Sequence, residues 1–354
     1  MEARIVLLPG DGIGPEVVEA ARTVLERAAI LGDHRFEFQE AAIGGAAIDG
    51  AGEALPESTF SLCKSSNAIL LGAVGGPRWS HLEGTASPEH GLLALRRKLG
   101  LFANLRPVPV FSSLVSASPL KASLLEGVDI LVVRELTGGI YFGPRREVAG
   151  EGSASDTMLY SVGEIERIAH VAFRAAATRR RLVTSVDKAN VLATSRLWRR
   201  TVEAVAQGYP EIELSHLLVD ACAMELLRAP ANLDVILTGN LFGDILSDEA
   251  SMLTGSLGVL PSACLGEGRP GLFEPVHGSA PDLVGSGVAN PLGAILSAAL
   301  LLRYSLDLEE EAEKVEAAVD RTLAAGWRTA DLCLEGEKPV STWQLTEEII
   351  AELG

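Results

Sequence analysis

Short apolar runs alternate along this chain with segments of helical periodicity, and this alternation constrains the fold more than any other feature. The apolar runs have the length and composition of buried strands and occupy 4–8, 68–74, 128–133, 182–186 and 234–238. Between the third and fourth runs, apolar residues of 165–176 recur at every third or fourth position, as in an amphipathic helix. The pattern predicts an α/β fold, and 354 residues correspond to about two domains.

The chain is strongly acidic, which excludes one class of partner. A formal net charge of −17 would repel a nucleic acid, whose binding requires a basic surface. The longest apolar stretch, 292–302, is too short to span a membrane, which needs about 20 residues. Because the sequence has no recognisable signal peptide and its four cysteines form no CxxC pair, we expect a cytoplasmic protein without disulfides or a membrane partner.

A glycine-rich segment, LPGDGIGPE at 8–16, follows the first apolar run and opens a helical pattern. Its glycines at 10, 12 and 14 depart from the GxGxxG spacing, and no strand ends in an acidic residue about 20 positions later. A tight strand-to-helix turn is therefore the favoured interpretation, and a Rossmann-type dinucleotide site is the less favoured alternative.

Three arginines lie at the ends of predicted elements, where a dianionic ligand could be held. Arg134 follows the apolar run at 128–133, and open α/β sheets bind ligands at the carboxyl ends of their strands. The planar guanidinium groups of Arg134, Arg96 and Arg106 suit bidentate binding of carboxylates. The alternative for each arginine is a surface ion pair.

Asp244 and Asp248 are four residues apart, so on a helix their carboxylates share a face and repel each other. A divalent cation would remove this repulsion, and carboxylate oxygens favour Mg²⁺ or Mn²⁺ over zinc. Asp220 is a possible third ligand, and two solvated helix acids are the alternative.

Two further side chains could transfer protons. Lys188 follows the run at 182–186 and could act as a base, while Tyr141 lies in a glycine-rich turn close to Arg134. The alternative for Tyr141 is a packed ring with a solvated hydroxyl. A second glycine-bearing loop, EPVHGSAPD at 274–282, contains His277, which taken alone is more often a structural histidine than a functional one.

Taken together, these segments resemble the β-hydroxyacid oxidative decarboxylases, the family of isocitrate and 3-isopropylmalate dehydrogenases. The resemblance is carried by LPGDGIGPE, RELTGGIYFG, SVDKANV, TGNLFGDILSD and EPVHGSAPD, in that order, and extends to about Arg303. It implies a two-domain, non-Rossmann α/β fold. The first domain, discontinuous over 1–102 and 257–354, would bind the cofactor, and the inserted domain, 103–256, would carry a dimer interface.

The resemblance also implies a role for each candidate residue. Lys188 would take the hydroxyl proton and Tyr141 would protonate the enol product, with Lys188 and Asp220 reaching the active site of the partner in a homodimer. The metal ligands would be Asp220, Asp244 and Asp248. The dicarboxylate substrate would contact Arg96, Arg106, Arg134, Asp220, Glu89, Leu92, Leu93, Asn190 and Val191. The cofactor would contact Gly75, Gly76, Glu274, His277, Gly278, Ser279, Ala280, Asp282 and Asn290.

Three residues refine the expected reaction. Asp282 resembles the acid that binds the adenosine ribose in NAD-specific members and would repel the phosphate of NADP. Leu92 and Leu93 replace a region that is polar in isocitrate-specific relatives, which favours an apolar substituent. We therefore expect NAD-dependent oxidative decarboxylation of (2R,3S)-3-isopropylmalate to 4-methyl-2-oxopentanoate and CO₂, in leucine biosynthesis.

Several alternatives stay open. The related tartrate/malate, homoisocitrate and isocitrate dehydrogenases are excluded only moderately by Leu92 and Leu93. A non-catalytic regulatory subunit is the alternative from another class, but such a chain would be expected to lose Tyr141, Lys188 or one of the aspartates.

Overall fold

The computed structural model describes residues 1–146, 152–268 and 270–354. The chain divides into two compact units: unit 1 comprises Met1–Leu101, Pro109–Pro119 and Ser251–Gly354, and unit 2 comprises Phe102–Val108 and Leu120–Ala250. The expected second domain, 103–256, thus includes 109–119 and 251–256, which belong to unit 1. One reason for the first of these differences is that Arg328 donates a 2.6 Å hydrogen bond to the carbonyl oxygen of Ser113.

The amino-terminal part of unit 1 alternates strands and helices. Its elements are β1 (Glu2–Gly10), α1 (Gly14–Leu31), β2 (Arg35–Glu40), α2 (Gly44–Ala51), α3 (Glu57–Lys64), β3 (Ala68–Ala73) and α4 (Pro88–Lys98). Helix α1 begins with Pro15 in its first turn, where the missing N–H costs nothing, and buries the stripe Val17, Ala21, Val24 and Ala28.

Unit 2 contains the central part of the chain. Its elements are β4 (Ala103–Val108), α5 (Ala122–Leu125), β5 (Ile130–Glu135), β6 (Arg145–Arg146), β7 (Ser155–Asp156), α6 (Val162–Ala177), β8 (Leu182–Asp187), α7 (Ala193–Ala206), β9 (Glu213–Leu218), α8 (Val219–Arg228), β10 (Val235–Thr238) and α9 (Asn240–Thr254), whose last turn enters unit 1. The strand order is β4-β5-β10-β8-β9, with only β4 antiparallel to its neighbour.

The carboxyl-terminal part completes unit 1. It consists of β11 (Pro261–Leu265), β12 (Gly271–Pro275), α10 (Leu292–Leu306), α11 (Glu309–Ala324) and α12 (Thr342–Leu353). The strand order in unit 1 is β2-β1-β3-β12-β11, with β11 antiparallel to β12. This order differs from the Rossmann order.

The predicted α/β class is confirmed, and the five apolar runs form β1, β3, β5, β8 and β10. The longest apolar stretch forms most of α10, which is buried on nearly all sides and packs against α1, α11, β11 and β12. Within the described ranges, no helix combines the length and apolarity that a bilayer crossing requires.

The first glycine-rich segment forms the predicted tight turn between β1 and α1. Gly10 and Gly12 have φ of +70° and +64°, which other residues adopt only with strain. A Cβ on Gly12 would lie 2.0 Å from the carbonyl oxygen of Ser279, and Ile13 N–H donates to that same oxygen at 2.9 Å. The two glycine-bearing loops of the sequence therefore contact each other.

Candidate active site

Four polar residues of unit 2 form one cluster at the carboxyl ends of β5 and β10. Arg134, Tyr141 and Asp244 are predicted site residues, and Asn240 is a further residue that contacts Arg134. Arg134 is the penultimate residue of β5, and Asn240 and Asp244 lie in the first turns of α9. Nε and Nη2 of Arg134 donate to Asn240 Oδ1 at 3.1 and 2.7 Å, and Nη1 donates to Asp244 Oδ1. The Tyr141 hydroxyl donates to the other oxygen of Asp244 at 2.9 Å, and its ring lies 5.8 Å from the Arg134 guanidinium.

Arg106 approaches the same helix from β4, which pairs with β5. Its guanidinium donates to Asn104 Oδ1 at 2.7 Å, to Ser247 Oγ at 2.6 Å and to Asp244 Oδ1 at 3.4 Å. It also forms an ion pair of 3.6 Å with Asp248. The two candidate substrate arginines of unit 2 therefore lie against the two candidate metal ligands of α9.

These charges shift the ionisation of the cluster. Burial would raise the pKa of the Asp244 carboxyl, but Arg134 and Arg106, with hydrogen bonds from Tyr141 and Arg134, bring it below the ordinary value. Burial raises the pKa of Asp248, and the charge of Asp244 adds to this effect, while Arg106 opposes it only in part. Burial and then the Asp244 charge raise the pKa of Tyr141, so its phenol stays protonated at neutral pH.

Asp244 and Asp248 share one face of α9, as the spacing predicts, and offer the oxygen ligands that Mg²⁺ and Mn²⁺ prefer. Asp220 lies in the first turn of α8, where it accepts a 2.5 Å hydrogen bond from Lys188 Nζ. That hydrogen bond lowers the pKa of the exposed Asp220 carboxyl. In the described part of one chain, no three acidic, His or Cys residues form a group suited to a metal ion. The donor set of α9 fits a divalent cation that takes further ligands from elsewhere.

The backbone around Lys188 is fixed by helix α7. The Asp187 carboxylate accepts two hydrogen bonds of 2.9 Å from Arg199 and one of 2.8 Å from Ala189 N–H. Lys188 N–H donates to Ser195 Oγ at 3.0 Å. Asn190 and Val191 follow in the turn before α7 and are exposed.

The candidate substrate residues of unit 1 lie on one face of α4. Glu89, Leu92, Leu93 and Arg96 are spaced at three to four residues, and both leucines are half-buried. Arg96 is buried and donates to Glu274 Oε1 at 2.5 Å, which joins α4 to the end of β12. A candidate substrate residue and a candidate cofactor residue therefore form one buried ion pair.

The candidate cofactor residues Gly75 and Gly76 follow β3 and have φ of +97° and +156°. Their turn is held by Asp11, a buried carboxylate that accepts hydrogen bonds from Gly45, Ala46 and Gly75 N–H at 2.7–2.8 Å. A Cβ on Gly75 would lie 2.3 Å from Glu89 Oε1, so this turn also contacts α4.

The second glycine-bearing loop runs from Glu274 to Asn290. The ring of His277 has a buried Nε2 without a hydrogen-bond partner among the described residues, and its Nδ1 lies 2.9 Å from the carbonyl oxygen of Gly278. Burial lowers the pKa of His277 and favours the neutral ring. A Cβ on Gly278 would meet no described atom within 4 Å. The open space at Gly278 would let a flat group such as a nucleotide base approach the backbone closely.

The remaining cofactor candidates complete this loop. Ala280 has φ of +38°, Asp282 is exposed in a short 3₁₀ turn, and Asn290 donates to Asp331 at 2.9 Å. The Ser279 carbonyl oxygen receives the hydrogen bond from Ile13 described above.

Sequence reasoning missed the residues that hold these side chains in place. Asn240, Asp187 and Asp11 lie inside the recognised motifs, but no role was assigned to them. Glu135 is a completely buried carboxylate next to Arg134. A charged residue at the end of an otherwise apolar strand is the one signal that could have indicated Glu135.

Comparison with known proteins agrees with the predicted family. A family model described as "Isocitrate/isopropylmalate dehydrogenase" matches residues 4–349. The 3-isopropylmalate dehydrogenase of Shouchella clausii is 57% identical, with 100% of this chain and 98% of that protein aligned. Among solved structures, an isocitrate dehydrogenase from Methylococcus capsulatus has a TM-score of 0.88 at 33% identity and 99% coverage of both chains. A β-decarboxylating dehydrogenase from Thermococcus kodakarensis has a TM-score of 0.80 at 39% identity, covering 99% of this chain and 96% of that one. This chain therefore belongs to the isocitrate/isopropylmalate dehydrogenase family.

Proposed function

We propose that this chain catalyses the NAD-dependent oxidative decarboxylation of (2R,3S)-3-isopropylmalate to 4-methyl-2-oxopentanoate and CO₂, in leucine biosynthesis in the cytoplasm. The observation that carries the proposal is the cluster of Arg106, Arg134, Tyr141 and Asp244, which combines carboxylate-binding, proton-donating and metal-binding groups. The 57% identity to a 3-isopropylmalate dehydrogenase over the whole chain supports the choice of substrate.

The arginines would bind the substrate. Arg106 and Arg134 of unit 2, and Arg96 of unit 1, present guanidinium groups whose N–H donors match carboxylate oxygens. Each is buried and held by a carboxylate or amide of its own unit, which fixes its orientation before substrate binds. This local positive charge would offset the acidity of the chain.

Two side chains would move protons. Lys188 would accept the proton of the C2 hydroxyl as the C2 hydride leaves, and Tyr141 would donate a proton to C3 after loss of CO₂. The raised pKa of the Tyr141 phenol is consistent with a donor that keeps its proton until that step.

Asp244 and Asp248 would hold Mg²⁺ or Mn²⁺ together with Asp220 of the partner subunit. The loop around His277, with Gly75 and Gly76, would hold NAD. When bound, NAD would accept the C2 hydride, and the divalent ion would withdraw electrons from the C2 oxygen, so that the carboxylate on C3 can leave as CO₂ and its bonding electrons pass to the enolate. The exposed Asp282 would select NAD by repelling a phosphorylated ribose.

A homodimer is part of the proposal, because Lys188 and Asp220 would serve the partner's active site. Helices α8 and α9 expose the large apolar side chains of Met224, Leu227 and Ile245, which are 63%, 45% and 56% accessible. Such exposure on neighbouring turns is typical of a surface that another subunit covers.

The substituent of the substrate would lie against Leu92 and Leu93. Two half-buried leucines on the same face of α4 as Arg96 offer an apolar contact for an isopropyl group and no donor for a third carboxylate. Because one or two methyl groups change transition-state binding by only about 1–3 kcal/mol, other 3-alkylmalates should also react.

The decisive experiment measures kcat/KM of the purified protein with Mg²⁺, with NAD or NADP, on 3-isopropylmalate, isocitrate, homoisocitrate, malate and tartrate. We expect 3-isopropylmalate with NAD to be the best pair. A higher kcat/KM on isocitrate, or with NADP, would contradict the proposed substrate or cofactor. Absence of turnover on every substrate would favour the regulatory-subunit alternative.

A further inference from the structure

The strand that carries Arg134 also carries a buried carboxylate that no role in the proposed reaction explains. Glu135 is fully buried, and because successive strand residues point to opposite faces, it points away from the face that Arg134 presents. Burying an ionised carboxylate is costly unless it is well hydrogen-bonded. The partners of Glu135 therefore indicate what it stabilises.

Among the described residues, the three shortest hydrogen bonds to Glu135 come from the turn that follows it. Oε1 accepts from Thr137 N–H at 2.9 Å and from Thr137 Oγ1 at 2.7 Å, and Oε2 accepts from Gly138 N–H at 2.7 Å. Arg167 of α6 lies 3.4 Å from Oε1 and donates to the Thr137 hydroxyl as well. The Glu135 carboxylate thus fixes two successive backbone N–H groups of the turn, those of Thr137 and Gly138.

Asn240 holds the same turn through its carbonyl groups. Its Nδ2 donates to the carbonyl oxygens of Leu136 and Gly138 at 3.0 and 3.3 Å, while its Oδ1 accepts both hydrogen bonds from Arg134. The turn therefore connects the Glu135 carboxylate to the Arg134 guanidinium. Three residues after Gly138, the chain reaches Tyr141.

The turn tolerates little change. A Cβ on Gly138 would lie 2.6 Å from the Tyr160 ring, and Gly139 has φ of +79° with the Tyr160 hydroxyl 2.6 Å from its Cβ position. Tyr160 also accepts the hydrogen bond of Asn240 N–H at 2.8 Å. Glycine, Tyr160 and Glu135 together leave the turn one compact conformation.

We propose that Glu135 is a positioning residue, which acts through the Thr137–Gly138 turn and Asn240 to fix Tyr141 and Arg134 relative to each other. This inference rests on the roles proposed above for Tyr141 and Arg134. Both Glu135 oxygens are occupied by the turn, so Glu135 does not transfer protons to substrate. Since an error of about 1 Å in a reacting group costs on the order of 100-fold in rate, loosening the turn should lower kcat.

The test compares two buried carboxylates of unit 2. Glu135→Gln keeps the shape but places an amide donor against one of the turn's N–H groups. The matched control is Asp234→Asn, which perturbs a carboxylate that is equally buried and accepts a 2.8 Å hydrogen bond from Arg179. Asp234 lies at the amino end of β10, whereas the cluster of Arg134 and Asp244 lies at the carboxyl ends of β5 and β10. We expect kcat to fall about 10- to 100-fold for Glu135→Gln and less than about twofold for Asp234→Asn, with similar losses of thermal stability.

A second readout does not depend on turnover. The chain has four tyrosines, so ¹³C-labelled tyrosine gives four ring signals, assigned by single Tyr→Phe variants. We expect the Tyr141 signal to shift or broaden in Glu135→Gln and to stay in place in Asp234→Asn, while Tyr304 of unit 1 is unchanged in both. If the parent enzyme does not turn over 3-isopropylmalate, the proposed function fails, but this readout still tests the positioning role.

Conservative variants of Thr137 provide an independent check should Glu135→Gln not fold. Thr137→Val removes the hydroxyl donor and should lower kcat about 3- to 10-fold, whereas Thr137→Ser retains the hydroxyl and should restore it. The proposal is overturned if Glu135→Gln keeps kcat within twofold of the parent, if both carboxylate variants lower kcat equally, or if Thr137→Val matches the parent.

Discussion

Gly243 of α9 lies against the side chain of Arg134. Because of this close approach, Gly243→Ala, which adds one carbon atom, tests how strictly Arg134 must be positioned. A Cβ at Gly243 would lie 2.7, 2.8 and 3.1 Å from Cγ, Cβ and Cδ of Arg134. Carbon atoms pack at about 3.5–4.0 Å, so Gly243→Ala forces the Arg134 side chain to move by about 1 Å. Arg134 would then lose its alignment with Asn240 and with a substrate carboxylate.

The expected cost follows from that displacement. A misplacement of about 1 Å corresponds to roughly a 100-fold loss of kcat/KM, or about 2.7 kcal/mol of transition-state stabilisation. In the opposite direction, alanine stabilises a helix interior by about 0.5–1 kcal/mol relative to glycine. The overpacking of about 1–3 kcal/mol exceeds or cancels that gain, so the free energy of unfolding should fall by no more than about 2.5 kcal/mol.

The assay measures kcat/KM for 3-isopropylmalate together with urea unfolding. The matched control is Gly163→Ala in α6 of the same unit, because a Cβ there would meet no described atom within 4 Å. Gly163→Ala should leave kcat/KM unchanged. If Gly243→Ala retains kcat/KM within threefold of the parent while folding normally, the reasoning about Arg134 is refuted.

Three further predictions concern subunits, cofactor and pH. Tyr141→Phe and Lys188→Ala should each lower kcat at least about 100-fold. Refolding an equal mixture of the two variants should restore activity in about one quarter of the sites, because half of the dimers are mixed and each mixed dimer has one site with both Tyr141 and Lys188. No recovery would place Lys188 in the active site of its own chain. Asp282→Ala should lower the kcat/KM ratio of NAD over NADP, measured with both cofactors, and an unchanged ratio would remove Asp282 from cofactor selection. Burial and Arg199 lower the pKa of His216, so the folded state binds its proton less readily than the unfolded state. Stability should therefore fall as pH drops through the ordinary His range, and His216→Gln should reduce that fall in urea titrations between about pH 7 and 5.

The elements that the sequence predicted best are those whose burial is visible in local composition. Strands β1, β3, β5, β8 and β10 read as continuous apolar runs because both of their faces are covered. Strand β4 was not predicted, because Asn104, Arg106 and Pro107 interrupt its apolar pattern. The Arg106 guanidinium can be buried because it donates to Asn104 on its own strand and to Ser247 and Asp244, which lie more than 130 residues away in the chain.

The candidate site shows the same division between local and distant information. Arg134, Tyr141, Lys188 and the aspartates of α9 were identified from residue type, motif and position at the end of an element. The network that fixes them was not, because residue type and spacing do not separate a supporting Asn240 or Asp187 from a solvated one, and the charge at the end of an apolar strand that marks Glu135 does not reveal its partners. Their roles depend on which donors are brought within 3 Å by the fold.

The sequence by itself determined the α/β class and the family and supplied the candidate site residues, because strand burial, helix periodicity and motif spacing are local properties of the chain. Only the tertiary structure decided that Arg134 donates hydrogen bonds to Asn240, that Glu135 accepts hydrogen bonds from the turn before Tyr141, and that the two glycine-bearing loops contact each other through the Ser279 carbonyl oxygen. The first and third of these contacts join residues that are distant in the chain, and the second depends on the burial of Glu135, which the fold provides. Buried polar groups must find partners, and which partners they find is fixed by packing rather than by sequence spacing.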